Sequence, residues 1–264
     1  MLISQTILLI TSYFYKLISY KVINMDFDLT IIIPVFNEEC NLERLHKELS
    51  DFLICSLKKT KVLFINDGSQ DGSLQKIKEI CKDSDSFSYC SFNKNYGLSS
   101  AIKAGFDYSD TPWTGYLDAD LQTSPQDFNI LWEYACEYDL IQGVRQNRKD
   151  SFLKNISSLI ANKIRRIFTH DGMDDTGCPL KIIRTDIAKR IPMFNGLHRF
   201  LPAMVLLQNG KIIQVPVRHF PRIAGKSNFN LWNRLLGPLM DCFAYLWMKK
   251  KYINYKVEEC SQKF

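Results

Sequence analysis

From Leu29 to Gly143 short apolar runs alternate with segments whose apolar residues recur at helical spacing. "LTIIIPV" (29–35) is almost continuously apolar and rich in Ile, the pattern of a strand buried on both faces. Asn41 then stands where it can cap a helix carrying Leu42, Leu45, Leu49 and Leu53 on one face. "KVLFIND" (61–67) is the next buried strand and ends in the turn-forming "DGSQDGS". A helix over Leu74 to Cys81 follows, then a short strand near Phe87 to Phe92 and a helix from Gly97 to Tyr108. "WTGYL" (113–117) is a fourth strand. Ser124, Pro125 and Asp127 read as a helix start, with Ser as cap and Pro at the first position. That helix is expected to reach about Tyr138, before the strand "DLIQG". The βαβα order predicts an α/β fold, with a mainly parallel sheet covered by helices on both faces.

In such sheets ligands gather at the carboxyl ends of the strands. Every suspicious polar cluster lies there: Asn37, Glu38 and Glu39; Asp67; Asn93 and Asn95; Asp118 and Asp120; Arg145 and Arg148. One such cluster alone reads as a solvated turn; five in register predict a crevice. Asp118-Ala119-Asp120 is the most pointed of them. Strand side chains alternate, so both carboxylates share a face, and two like charges so close call for a cation. The chain has no GxGxxG and no GxxxxGK[ST], so dinucleotide hydride transfer and P-loop hydrolysis lose support. What remains is an α/β nucleotide site that neutralises a diphosphate with a metal held on paired aspartates.

Composition narrows the picture. The 264 residues are 46% hydrophobic with net charge +6, enough for one sizeable core and suited to anionic partners. Eight cysteines occur without CxxC spacing and are expected to be reduced and mostly buried, which suggests a cytosolic compartment and no zinc site. The basic residues are not interleaved with an aromatic platform, so nucleic acid is not an expected partner. Residues 1–24 are apolar but broken by Ser, Gln, Thr and Lys, and lack a secretory cleavage pattern. They read as a mis-called start ahead of Met25, a membrane-surface helix, or a weak anchor. Residues 25–227 form the expected catalytic domain, and 228–264 an amphipathic, basic tail. In that tail Leu231, Leu235, Leu236, Leu239, Phe243, Leu246 and Trp247 make one stripe, Pro238 is expected to kink the helix, and Lys249, Lys250 and Lys251 follow. The stripe reads as an interfacial helix on an anionic membrane, or as a packing or homo-oligomer surface.

"IIIPVFNEECNL", "FINDGSQDGS", "NYGLSSAIKAG" and "LDADLQTSP", in that order, resemble the motifs of family 2 glycosyltransferases with the GT-A fold. "DDTGCPLKIIR" and the Arg-x-x-Gly-x-Ser at Arg222, Gly225 and Ser227 are similar to the dolichyl- and polyprenyl-phosphate sugar transferases, the dolichol-phosphate mannosyltransferase-like branch. The resemblance covers Asp28 to about Trp247. It departs in "LQTSPQD", where the family commonly has Asp or His and two prolines, and in the missing C-terminal membrane helices. The QxxRW motif of processive synthases is absent.

The resemblance implies an inverting transfer of a sugar from a UDP- or GDP-sugar to a polyprenyl phosphate, at the cytoplasmic membrane face. Pro34, Asn37, Glu38, Asp67, Asn95 and Asp118 would bind the nucleotide sugar, with Gly68 and Gly72 allowing a close approach to it. Asp118 and Asp120 would hold Mg²⁺ or Mn²⁺, hard cations suited to oxygen ligands. Asp120, Asp175 and Arg222 are the expected catalytic residues. Arg145, Arg148, Arg199, Arg222 and Ser227 would position the acceptor phosphate, whose second pKa of about 6 removes the need for a general base. A peripheral, cytoplasmic location follows, with a homo-oligomer or membrane-protein partner as a further expectation. A glycan or lipid A-type acceptor, or a non-catalytic nucleotide-sugar-binding subunit, are the alternative readings.

Overall fold

The computed structural model describes residues 27–82, 84–146, 162–163, 165–221, 231–255 and 258–259. The expected positions Arg148, Arg222, Gly225 and Ser227, and residues 1–24, lie outside them. A seven-stranded sheet forms the centre: β1 (Leu29–Val35), β2 (Thr60–Asn66), β3 (Phe87–Ser91), β4 (Trp113–Tyr116), β5 (Leu140–Arg145), β6 (Lys181–Arg184) and β7 (Ile212–Val217), in the order β3-β2-β1-β4-β6-β5-β7. The Ile-rich β1 lies between β2 and β4, parallel to both, as its burial pattern demands. Strand β6 runs antiparallel between β4 and β5. Its start therefore meets the same sheet edge at which β1, β2, β4 and β5 end.

Two cores flank the sheet. On one face α1 (Glu39–Cys55), α2 (Ser73–Cys81) and the short α4 (Phe128–Trp132) cover Ile31, Ile33, Phe64 and Leu180. On the other, α3 (Leu98–Tyr108), α5 (Thr185–Arg190), α6 (Leu201–Leu207) and α7 (Leu231–Lys251) cover Ile32, Leu63, Tyr116 and Ile183.

Several sequence expectations need correction. Helix α1 starts at Glu39, two residues before the expected cap, so Asn41 is buried within it and donates to Glu38 Oε2 at 2.5 Å. Its buried stripe ends on Phe52, while Leu53 is only partly buried. Ser124 does cap, accepting from Gln126 N at 3.3 Å, but Pro125–Asp127 is a 3₁₀ turn and α4 ends at Trp132 instead of near Tyr138. The cysteines are less buried than expected: Cys178 and Cys242 are buried, whereas Cys40, Cys55 and Cys136 are exposed. Among the described residues every cysteine is a free thiol.

Helix α7 continues through Pro238 without interruption. Its inner side docks through Cys242 and Tyr245, the latter stacked on Phe200 at 5.7 Å between ring centroids. Its outer side exposes Met240, Phe243 and Trp247. No helix among the described residues is long and apolar enough to cross a membrane.

Candidate active site

Three loops at the ends of β1, β2 and β3 interlock. Asn37, at φ 55°, donates its N–H to Ser69 Oγ and accepts from Gln70 N at 2.8 Å. Glu38 N donates to Ser73 Oγ at 3.0 Å. The Glu39 carboxylate accepts from Gly72 N at 2.9 Å, and Glu39 N donates to Asp71 Oδ2. A Cβ at Gly72 would lie 2.5 Å from Glu39 Oε1, so this glycine makes room for a carboxylate of the chain itself. Glu39 is thus the latch between the first two loops.

Asp67 is buried and bonds inward. Oδ1 accepts from Tyr96 N at 2.7 Å, and Oδ2 accepts from Gly97 N at 2.9 Å and Asn95 Nδ2 at 3.1 Å. Burial raises its pKa, and the two backbone N–H groups oppose that rise. Gly68 has φ +66°, and a Cβ there would come within 2.2 Å of the Lys94 carbonyl carbon. The close approach that glycine allows is between two loops of the protein. Asp67 and Asn95 therefore tie the end of β2 to the loop after β3, and Pro34, half-buried opposite Ile65, lies near the end of β1 beside them.

The other half lies over β4, β6 and β5. Tyr116 Oη donates to Asp118 Oδ1 at 2.5 Å, and Gln122 N donates to Asp120 Oδ1 at 3.2 Å. Leu121 takes φ 54°, which turns the chain sharply after the second aspartate. Burial first, and Asp120 second, push the Asp118 carboxyl up to about 6; Tyr116, Lys181 and Arg145 pull it down. Arg145 clasps Asp175 with two bonds, Nε to Oδ2 at 2.7 Å and Nη2 to Oδ1 at 2.9 Å. These two expected phosphate-binding and catalytic residues thus face each other, across 30 residues of sequence. His198 Nδ1 meets Ser99 Oγ at 2.8 Å, and Gly196 N donates to the same hydroxyl. Burial, with Arg199 and Lys181 nearby, lowers the His198 pKa to about 3, so its imidazole is neutral. Arg199 faces Asp241 of α7 at 3.7 Å.

Sequence reasoning missed Lys181. It is 2% exposed, opens β6, and stands opposite Tyr116 on β4 and Gln142 on β5. Its signal was a lysine inside the apolar run "CPLKII". Burial lowers its pKa to about 8, while Cys178, Asp118 and Asp175 act to raise it. Tyr116 was missed too, since a tyrosine inside a strand reads as core.

The donor set can be tested against a divalent cation. Among the described residues no group of three or more His, Cys, Asp or Glu is disposed to hold one. Two half-buried carboxylates, one of them pushed up by burial first and by the other's charge second, fit Mg²⁺ or Mn²⁺, which take few protein ligands and fill the remaining positions with phosphate and water.

The glycosyl transferase family 2 model matches residues 30–191, and the chain belongs to that family. It is a glycosyltransferase, and its fold is of the GT-A type. Among similar solved structures, glucosyl-3-phosphoglycerate synthase from Mycobacterium tuberculosis, in complex with Mn²⁺, UDP-glucose and phosphoglyceric acid, superposes with a TM-score of 0.65. It is 12% identical, over 84% of this chain and 79% of that one. The mannosyltransferase PcManGT from Pyrobaculum calidifontis, in complex with GDP-Man and Mn²⁺, gives a TM-score of 0.60 at 14% identity, over 83% of this chain and 64% of that one.

Proposed function

We propose that the protein transfers a sugar from a UDP- or GDP-sugar to a polyprenyl phosphate, working peripherally on the cytoplasmic face of a membrane. Asp118 and Asp120 would hold Mg²⁺ or Mn²⁺, which supplies charge stabilisation to the departing diphosphate. The similar proteins bound to UDP-glucose or GDP-Man with Mn²⁺ support this assignment of donor and metal. The interlocked loops carrying Asn37, Glu38, Asp67 and Asn95 would seat the nucleotide. An oxygen of the acceptor phosphate attacks the anomeric carbon, and the bond from that carbon to the diphosphate breaks, its electron pair leaving with the diphosphate. A phosphate monoester is already ionised near neutrality, so the protein's task is cationic positioning. Arg145, set by Asp175, and Arg199 are described candidates for it. Phe220 N donates to Gln122 O at 2.9 Å, so the chain is tied beside the aspartate pair two residues before Arg222.

The observation that carries the lipid acceptor is the two-sidedness of α7. Its inner side docks through Asp241 beside Arg199 and Tyr245 on Phe200. Its outer side exposes Met240, Phe243 and Trp247 and ends in Lys249, Lys250 and Lys251. An apolar face with aromatics beside a lysine cluster suits an anionic lipid surface.

The test is to mix the protein and Mn²⁺ with labelled UDP- and GDP-sugars and with undecaprenyl phosphate in anionic vesicles or, separately, phosphoglyceric acid. A solvent-extractable labelled lipid is expected, reduced by Phe243→Asp with Trp247→Asp. Label appearing only on the water-soluble phosphate would overturn the lipid acceptor.

A further inference from the structure

The turn that carries the aspartate pair is not a relaxed one. Leu121 is buried and takes φ 54°, a region that disfavours leucine. Two residues on, Thr123 is 1% exposed, and its hydroxyl has no hydrogen-bond partner among the described residues. Both features cost free energy, so contacts from outside the turn must hold it in this shape.

Those contacts come from the far edge of the sheet. Strands β6 and β5 lie between β4 and β7, so the sheet itself does not bond β7 to β4. The chain leaving β7 makes the connection instead. Arg218 N donates to Asp127 Oδ2 at 2.9 Å, and its guanidinium donates twice to Asp127 Oδ1, from Nε at 2.8 Å and from Nη2 at 2.5 Å. Two residues later Phe220 N donates to Gln122 O at 2.9 Å. Gln122 N in turn donates to Asp120 Oδ1 at 3.2 Å. The strap from Arg218 to Phe220 thus grips the segment 118–127 at its middle and at its end. The Asp127 side chain is 0% exposed and that of Arg218 59%, so the arginine closes this clamp from the solvent side. Its buried carboxylate sets the clamp apart from surface ion pairs, which hold little.

We propose that Arg218 is a positioning residue for the transferase site. Through Asp127, and through the strap that it anchors on Gln122, it holds the turn in the shape that presents Asp118 and Asp120 to one divalent ion. The proposal rests on the assignment of that pair as the metal site. With the clamp opened, the turn can relax from the strained backbone at Leu121, and the spacing of the two carboxylates is no longer fixed. A site that must be organised before the ion arrives then binds it less tightly.

The test compares wild type with Arg218→Ala, Arg218→Lys and the double variant Arg218→Met with Asp127→Asn, which opens the clamp without leaving a buried carboxylate alone. Val205→Ala is the stability control, because Val205 packs in the core on the opposite face of the sheet from Leu121. Two quantities are measured: amide hydrogen exchange of the metal-free protein, and Mn²⁺ binding by electron paramagnetic resonance in the presence of UDP or GDP. Arg218→Ala and the double variant should speed exchange over 118–127 by about tenfold more than over β1, and should weaken Mn²⁺ binding by about tenfold. Arg218→Lys should fall between these and wild type, since it keeps the charge and loses the fork. Val205→Ala should lower the melting temperature and leave Mn²⁺ affinity within about twofold of wild type. Clamp variants that bind Mn²⁺ as tightly as wild type would overturn the proposal, as would exchange that rises evenly along the whole chain. If wild type itself binds no Mn²⁺ with either nucleotide, the metal-site assignment fails and the role given to Arg218 fails with it.

Discussion

Tyr116 Oη donates to Asp118 Oδ1 at 2.5 Å, so the last residue of β4 braces the first carboxylate of the pair from within the sheet. The bond favours the ionised carboxylate that a divalent cation needs, against the burial that disfavours it. Tyr116→Phe should therefore weaken Mn²⁺ binding by about tenfold, the scale of a hydrogen bond to a charged group, while the fold is kept. Calorimetric titration with Mn²⁺ and a nucleotide checks this. Unchanged affinity would mean that the bond is incidental.

The same carboxylate sets a pH dependence. Asp118 is raised from 3.8 to about 6, so a proton competes with the metal, and Mn²⁺ affinity should fall as pH drops through about 6. Without metal the sign reverses. The folded state holds this proton more tightly than the unfolded chain, so the group's contribution to stability is full below 3.8 and is lost as pH rises through about 6. Melting curves with and without Mn²⁺ across pH 4–8 should show metal stabilisation growing toward neutrality.

Gly68→Ala tests the interlocked loops proposed to seat the nucleotide. Its Cβ would strike backbone atoms at Lys94 and Asn95, and φ +66° disfavours any side chain. The loops must separate or the turn must strain, at a cost of about 1–3 kcal/mol. A lower melting temperature and weaker nucleotide binding should appear together, because Asp67 loses its register with Tyr96 and Gly97.

Arg145→Ala would leave the nearly buried Asp175 without its bidentate partner. Side chains 13% and 8% exposed make this pair costly to break, at about 3–5 kcal/mol. Denaturant unfolding should show the loss, and Asp175→Asn added to Arg145→Ala should recover part of it, since a nearly buried negative charge is then removed. If Arg145→Ala retains stability but loses acceptor use, the arginine serves the acceptor alone.

The first five strands were legible because buried parallel strands write themselves as apolar runs. The expectation that Asp118 and Asp120 share one face of a strand needs correction: β4 ends at Tyr116, and both aspartates stand in the turn beyond it, which Leu121 closes at φ 54°. The direction of β6 was not legible, since "KIIR" reads the same in either sense. That single reversal brings Lys181 and Asp175 to the site edge. The Arg145–Asp175 clasp joins residues too far apart in sequence for any local pattern to reveal. Helix α1 departs from its expected cap because Glu38 and Glu39, tied to Ser73 and Gly72, start the helix before Asn41. Leu53 gave way to Phe52 because a difference of one position is 100° of helix rotation, within which leucine spacing alone does not fix the buried face.

The central claim is that the Asp118–Asp120 pair holds the cation that serves a sugar-nucleotide diphosphate. Asp120→Asn tests it most directly. Turnover of the UDP- or GDP-sugar that wild type uses should fall by about 10²–10³-fold at saturating Mn²⁺, with the melting temperature of the metal-free protein nearly unchanged. A well-folded Asp120→Asn protein that turns over the donor at the wild-type rate would contradict the account.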